Sequence, residues 1–183
     1  MPRPRSRRRA WLSALVAGLA AATSQSTPAQ PILTIPPATA WAMRVTDLHN
    51  RVRAAAGVPP IHWDAGLAAA ADKYAAQLAR TGRWGHSPQE ARAGQGENLW
   101  MGTRGAFNVD QMLGAWASEA RLFRPGRFPR VSRNGNWTAV GHYTQMIWRG
   151  SFRLGCALRS SAHYDYLVCR YSPPGNVVGV GVP

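Results

Sequence analysis

Apolar residues recur at helical spacing in three stretches of the chain. The first stretch ends at Gly57, which two prolines follow, and the second begins after Asp64, a favourable N-cap, and ends at Gly82. The third covers residues 108–122, with Asn108 as its cap. The three apolar stripes are Val45, Leu48, Val52 and Ala56; Leu67, Ala71, Tyr74 and Leu78; and Val109, Met112, Leu113 and Trp116. This periodicity predicts three amphipathic helices.

A shorter helix is predicted between the second and third of these. Ser87 stands where an N-cap is expected, Pro88 takes the first helical position, and Glu90 follows three residues after the serine. These are the residues of a capping box. The capping role accounts for Ser87 without making it a nucleophile, although His86 is its neighbour.

After Pro125 the pattern changes to short β-prone runs. Residues 141–148, 153–159 and 165–171 are separated by polar turn segments and predict an antiparallel meander, which a short strand at 98–101 would join. Helices followed by strands indicate an α+β fold in which helices pack on a mostly antiparallel sheet. No internal repeat or second domain is evident.

The first 29 residues are typical of a secretory signal. A cluster of five arginines precedes the apolar run 11–22, and small residues follow, so that cleavage fits after Ala22 or after Ala29. The apolar run is shorter than the roughly 20 residues that span a bilayer. Residues 30–38 then form a flexible lead-in to a single domain at 39–180. We therefore expect a secreted, extracellular protein, or a periplasmic one in a Gram-negative host.

The charge balance is strongly basic. The chain carries a net charge of +14, and removal of residues 1–29 takes away five basic and no acidic residues, which leaves about +9. Such a charge attracts anionic polymers and lipids. No zinc finger or recognition helix is present, so nucleic acid is not an expected partner. The basic residues form either a solvated surface or a surface that retains the protein on anionic envelope polymers. The protein is expected to be a monomer.

Two cysteines, Cys156 and Cys169, are present. An even count in an exported chain indicates one disulfide, with two buried thiols as the alternative. Because the two residues fall on neighbouring predicted strands, a cross-strand bridge is geometrically reasonable, and closing this loop would contribute roughly 3 kcal/mol.

Four polar residues in rich settings are candidates for chemistry. His86 ends a glycine-bearing loop, Glu97 leads into a strand, Glu119 follows Trp116 on the third long helix, and His142 begins the 141–148 run. No pair among them has the short spacing of a helical zinc motif, so spacing alone does not bring them together. His49 and His62 are expected to be structural, and His163, in a predicted hairpin loop, is assigned no role.

Several motifs resemble a known family. GHYTQMIW at 141–148 and YLVCRYSPPGNV at 166–177 are similar to the two signatures of the cysteine-rich secretory, antigen 5 and pathogenesis-related 1 (CAP) family. GENL at 96–99, HS at 86–87 and GCA at 155–157 match further landmarks in order. The resemblance covers about residues 40–177. It implies a three-layer α-β-α sandwich with a central cleft that carries His86, Glu97, Glu119 and His142.

The resemblance implies several functions for this cleft. His86 and His142 are expected to bind a divalent metal, with zinc as a weakly held cofactor, while Glu97 and Glu119 support the histidines or contact a ligand. The expected function is binding of metal, of a small apolar, lipid-like or sterol-like ligand, or of both. The alternatives are a polar cluster without metal and a metal-dependent, peptidase-like hydrolase with Glu97 or Glu119 as base. Whether the protein is an enzyme stays open, although a binding function is favoured over catalysis. No catalytic residue is assigned.

Overall fold

The computed structural model describes residues 37–92 and 94–183, so the predicted signal at 1–29 and most of the 30–38 lead-in lie outside the described residues. The α-helices are α1 (Pro37–Ala55), α2 (Ala65–Thr81), α3 (Val109–Ala117) and α4 (Gly141–Met146). The strands are β1 (His62–Trp63), β2 (Gly96–Thr103), β3 (Gly126–Arg127), β4 (Arg153–Ser160), β5 (Tyr164–Ser172) and β6 (Gly181–Val182). Short 3-10 helices cover Gln89–Arg92, Ser118–Leu122 and Trp137–Val140. None of the helices in this part of the chain is long and apolar enough to cross a membrane.

The predicted helix ends are confirmed by their hydrogen bonds. The Asp64 side chain accepts from the Leu67 amide at the start of α2, and Gly82 ends that helix in the left-handed region at φ 65°. Asn108 and Gln111 form a reciprocal capping box at the start of α3. The third long helix is shorter than predicted, because its last turn, Ser118–Leu122, is a 3-10 helix.

Four strands form the central sheet in the order β1-β4-β5-β2. β5 pairs antiparallel with both β2 and β4, whereas the two-residue strand β1 pairs parallel with β4. Cys156 and Cys169 are direct partners in the β4–β5 register and form the predicted disulfide. Strands β3 and β6 form a separate two-stranded sheet.

Helices cover both faces of the central sheet. The apolar side of α2 packs in one core cluster with Leu99, Val168 and Tyr166. Leu167, Cys169 and Tyr171, which alternate with Tyr166 and Val168 along β5, pack in another cluster with Val45 of α1, Met146 of α4 and the apolar residues of α3. A third cluster lies under the 123–148 segment and includes Phe128, Ile147 and Val182. These layers confirm the expected α-β-α sandwich.

The prediction that residues 141–148 form a strand is wrong. Residues 141–146 are helix α4, and the 3-10 helix Trp137–Val140 leads into it. The Glu119 carboxylate accepts the backbone N–H groups of His142 and Tyr143, both at 3.0 Å, at the N-terminus of α4. An anion at that end stabilises a helix. A distant contact therefore outweighs the β-propensity of the local sequence.

The prediction for Ser87 is also corrected. The helix after it is the single 3-10 turn Gln89–Arg92, and the Ser87 hydroxyl contacts two charged side chains instead of a helix end. It donates to Glu97 at 2.9 Å and accepts from Arg170 at 3.0 Å. A buried carboxylate and a buried guanidinium need hydrogen-bond partners, so the Ser87 hydroxyl bonds to them and not to the helix end.

Candidate functional site

The first histidine–glutamate pair joins the loop after α2 to the start of β2. His86 Nδ1 lies 2.8 Å from Glu97 Oε1, and the Ser87 amide donates to the same oxygen at 2.9 Å. The Glu97 side chain is 0% exposed, whereas that of His86 is 54% exposed. Because the carboxylate oxygen accepts, the His86 Nδ1–H donates, and the neutral ring keeps its lone pair on Nε2.

A buried arginine supports this pair from behind. Arg170 of β5 stands directly opposite Glu97 in the β2–β5 register, and its Nη2 lies 3.0 Å from Glu97 Oε2. Burial would raise the pKa of Glu97, but the hydrogen bond from His86, the charge of Arg170 and the two bonds from Ser87 outweigh it, so the pKa lies below its ordinary value. Glu97 is therefore ionised inside the protein and fixes the orientation of His86.

The second pair is built at the N-terminus of α4. His142 Nδ1 lies 2.6 Å from Glu119 Oε1, while Glu119 Oε2 accepts the two α4 amides described above. The imidazole is stacked on Trp116, with ring centroids 5.6 Å apart and an interplanar angle of 15°. Glu119 is 18% exposed and His142 33% exposed. This geometry also leaves Nε2 of His142 without its hydrogen in the neutral ring.

Consecutive residues of β2 connect the two halves of the site. Glu97 and Asn98 project to opposite faces of the sheet, since side chains alternate along a strand. Asn98 donates to the main-chain carbonyl of His142 at 3.0 Å and to the Tyr171 hydroxyl at 3.2 Å. Strand β2, at the edge of the central sheet, therefore contacts both histidine–glutamate pairs, one from each face of the sheet.

This network continues to the first helix through His49. The Tyr171 hydroxyl donates to His49 Nε2 at 2.9 Å, and His49 Nδ1–H donates to the Val45 carbonyl at 2.9 Å. His49 is fully buried, and burial lowers its pKa to about 4. Both the burial and the bonds confirm its structural role. His62 and His163 are exposed and lie outside the site.

His86, Glu97 and His142 line a cleft of about 750 Å³. An apolar wall of the cleft is made by Phe128, Trp137 and the chain near its C-terminus, including Pro174, Val177 and Val178. Two contacts fix this wall. Gln145 of α4 accepts the Gly175 amide at 2.9 Å, and Asn176, at φ 55°, donates to the Gly141 carbonyl at 2.9 Å. The cleft is thus lined both by two imidazoles and by this apolar wall.

The structure brings the four predicted residues together as two pairs. His86, Glu97 and His142 line the cleft, and Glu119 lies behind His142. Within the described residues, no group of three or more histidine, cysteine or acidic side chains is placed to hold a metal ion. The two Nε2 atoms are the imidazole donors at the cleft, a pair that suits zinc but falls short of the three protein ligands usual in catalytic zinc sites.

Sequence reasoning missed Arg170 and misassigned Ser87, the two residues that support Glu97. A signal for Arg170 was available, because it interrupts the apolar part of its strand, and a buried charge needs a partner. Its partner could not be identified, since Glu97 is 73 residues earlier and becomes its neighbour only when β2 pairs with β5. Ser87 gave no such signal.

Comparison with known proteins agrees with the motifs. The sequence model of the cysteine-rich secretory protein family, CAP, matches residues 46–171. Pathogenesis-related protein 1B of Nicotiana tabacum is 37% identical over 138 residues, which cover 73% of this chain and 75% of the relative. Secreted protein RBT4 of Candida albicans is 35% identical over 144 residues, 77% of this chain and 37% of the relative.

A solved structure described as NaASP2 with Zn²⁺ superposes with a TM-score of 0.66 at 25% identity, over 77% of this chain and 83% of that one. The family match, the relatives and the shared fold agree with one another. This chain belongs to the cysteine-rich secretory protein (CAP) family, which includes the pathogenesis-related 1 proteins.

Proposed function

We propose that this protein is exported and that its cleft binds a divalent cation, with zinc as the best candidate, through Nε2 of His86 and of His142. The observation that carries the proposal is that each imidazole donates its Nδ1–H to a glutamate while lining the same cleft. Carboxylates commonly hold zinc-binding histidines in this way, because they fix the ring and make Nε2 more basic. Two protein ligands would bind zinc weakly and leave coordination positions open to a ligand.

The same hydrogen bonds favour binding over hydrolysis. Both oxygens of Glu97 already accept hydrogen bonds, and so do both oxygens of Glu119. A general base must have an oxygen within reach of the water that it deprotonates. Each oxygen of Glu97 has two partners, and Glu119 is not among the residues that line the cleft, so the metal-dependent hydrolase is the less favoured alternative.

The apolar wall supports a small lipid-like ligand as the occupant of the cleft. Trp137, Val177 and Val178 line the same cleft as the two histidines. A ligand with an anionic head and an apolar tail would satisfy both sides, since the head can complete the coordination of the cation and the tail can cover the wall. Export is supported by the signal-like leader and by a relative named as a secreted protein, and the compartment would be extracellular, or periplasmic in a Gram-negative host.

Zinc titration calorimetry on the protein, purified in its exported form, tests the metal site. We expect saturable micromolar binding that is abolished in the variant His86→Ala/His142→Ala. The matched control is His62→Ala/His163→Ala, which also removes two imidazoles but from exposed positions outside the cleft. Equal binding by both variants, or no binding by the unaltered protein, would overturn the metal proposal.

A fluorescent fatty acid, cis-parinaric acid, tests the ligand separately. We expect Trp137→Ser to weaken its binding several-fold, because that side chain forms part of the apolar wall. Trp84→Ser removes another exposed tryptophan outside the cleft and serves as the control. Binding that is unchanged in Trp137→Ser would place the fatty acid elsewhere and overturn this second part of the proposal.

A further inference from the structure

Charge is distributed very unevenly along the chain. From residue 120 to the C-terminus there are nine arginines and a single acidic residue, Asp165. Five of these arginines follow one another at intervals of three residues: Arg121, Arg124, Arg127, Arg130 and Arg133. We call this segment, residues 121–133, the arginine hairpin.

The backbone of the arginine hairpin turns its arginines toward solvent. Phe123 and Ser132 form an antiparallel bridge, and the Arg124 amide donates to the Val131 carbonyl at 2.9 Å. The apolar residues Phe123, Phe128 and Val131 are buried in the core cluster below. All five arginines are exposed, and none of them forms a salt bridge within the part of the chain that the structure describes. The hairpin therefore presents an uncompensated positive surface.

An exposed apolar turn adjoins this positive surface. The turn at residues 177–180, the valine turn, closes with a hydrogen bond from the Val180 amide to the Val177 carbonyl. Its most exposed residue is Val178, at 75%, and Val177, Val180 and Trp137 are also exposed.

Three bonds join the valine turn to the arginine hairpin. The Phe128 amide donates to the Val180 carbonyl at 2.9 Å, and the Gly179 amide donates to the Phe128 carbonyl at 2.8 Å. The Arg127 guanidinium donates to the Gly179 carbonyl at 2.8 Å. The arginines and the valines therefore form one continuous surface.

We propose that this surface, the arginine hairpin together with the valine turn, docks the protein on an anionic lipid bilayer. Arginines near an anionic leaflet gain electrostatic free energy, and exposed valine and tryptophan side chains gain by entering the interface between headgroups and acyl chains. A soluble polyanion would account for the arginines alone, because a hydrated polymer offers no apolar phase for Val178. The combination therefore favours a membrane surface over an envelope polymer.

Docking in this way brings the cleft to the lipid. Trp137, Val177 and Val178 belong both to the exposed apolar surface and to the cleft wall. The proposal does not depend on zinc, since no residue of the arginine hairpin or the valine turn contacts either histidine through a hydrogen bond. Failure of the zinc titration would leave it standing, and its own failure would leave the metal site untouched.

Vesicle co-sedimentation tests the proposal on the exported protein. We expect binding to phosphatidylcholine vesicles that contain phosphatidylglycerol, and little binding to phosphatidylcholine alone. The variant Arg124→Gln/Arg127→Gln/Arg130→Gln should lose on the order of a hundredfold in its partition coefficient, at about fivefold for each arginine. The control Lys73→Gln/Arg80→Gln/Arg83→Gln removes the same charge from exposed positions on and after α2 and should lose far less. Thermal melting of both variants verifies that they are folded.

A second variant tests the apolar part. Val178→Ser/Val180→Ser should weaken vesicle binding by about tenfold and should abolish whatever binding persists in high salt, which screens the arginines. Equal vesicle binding by the arginine variant and its control would overturn the proposal. So would binding to heparin or to another soluble polyanion without binding to anionic vesicles, since that result would identify a polymer as the partner.

Discussion

The two histidine–glutamate pairs make the same contact by different physical means. Glu97 is fully buried and is held by Arg170, a charged partner that is also buried. Glu119 is partly exposed and is held by two backbone amides at the start of α4. Both arrangements fix an imidazole with Nε2 available to the cleft, but they differ in how much stability depends on a single side chain.

The difference follows from the cost of burying charge. A buried ion pair gains little net free energy, yet removal of one partner leaves the other charged and unsolvated. Backbone amides at a helix N-terminus stabilise a carboxylate with partial charges, and water can replace part of their effect at an exposed site. The first pair should therefore be fragile toward mutation, whereas the second should be tolerant.

Arg170→Met is expected to have the largest effect. It leaves Glu97 buried without its counter-ion and should lower the free energy of unfolding by about 3–5 kcal/mol, measured by urea denaturation. Arg159→Met is the control, because Arg159 forms an ion pair with Asp72 at the surface, where solvent screening leaves such a pair only a small contribution to stability.

Neutralising the carboxylate as well should restore part of the loss. The double variant Arg170→Met/Glu97→Gln is expected to be more stable than the sum of the two single changes predicts, since no unpaired charge remains. If Arg170→Met cost no more than Arg159→Met, the contrast between the two pairs would be lost.

Acid should act on the network that supports the second pair. The pKa of His49 is lowered to about 4 in the folded protein, whereas an unfolded chain protonates histidine near its ordinary value of 6.5. The unfolded state therefore binds the proton first, and the free energy of unfolding should fall as the pH decreases from about 6.5 to about 4, by about 3 kcal/mol in total.

Urea denaturation between about pH 7 and about pH 4.5 measures this effect. His49→Gln should flatten the pH dependence, although it lowers stability at neutral pH by disturbing the bonds to Tyr171 and Val45. The exposed residue His163 provides the control, and His163→Gln should leave the curve unchanged. A variant at His49 that retained the full slope would show that another group is responsible.

Glu119→Gln is expected to have the smallest effect of the three. The amide oxygen can still accept from the α4 backbone, but the charge at the helix N-terminus is lost, so the free energy of unfolding should fall by about 1–2 kcal/mol. Glu90→Gln removes a carboxylate from an exposed position and should be close to neutral. Urea denaturation of both variants gives the comparison, and a loss as large as that of Arg170→Met would mean that the second pair also depends on a buried charge.

The fold was predictable where its determinants are local. Asp64, Gly82 and Asn108 mark helix ends through bonds to residues within a few positions, and the apolar stripes between them have the helical period. The helix in the 141–148 segment was not predicted, because it depends on Glu119, which lies more than twenty residues away. Strand β1 was missed for a similar reason, since its two residues are defined only by pairing with β4.

The candidate site was predictable only in part. Sequence physics singled out the four residues, and the family resemblance placed them in one cleft, but neither indicated which histidine joins which glutamate. That pairing depends on strand register and on the position of α4, both set by the tertiary structure. For the same reason Arg170 was missed and Ser87 was misassigned as a helix cap.

The buried disulfide has a consequence for how the chain matures. Cys156 and Cys169 are 2% and 0% exposed, within the cluster that α1 and α3 cover. An oxidising enzyme needs access to at least one thiol, and the finished protein does not offer it. Oxidation by such an enzyme should therefore precede the final closure of these helices over the cysteines.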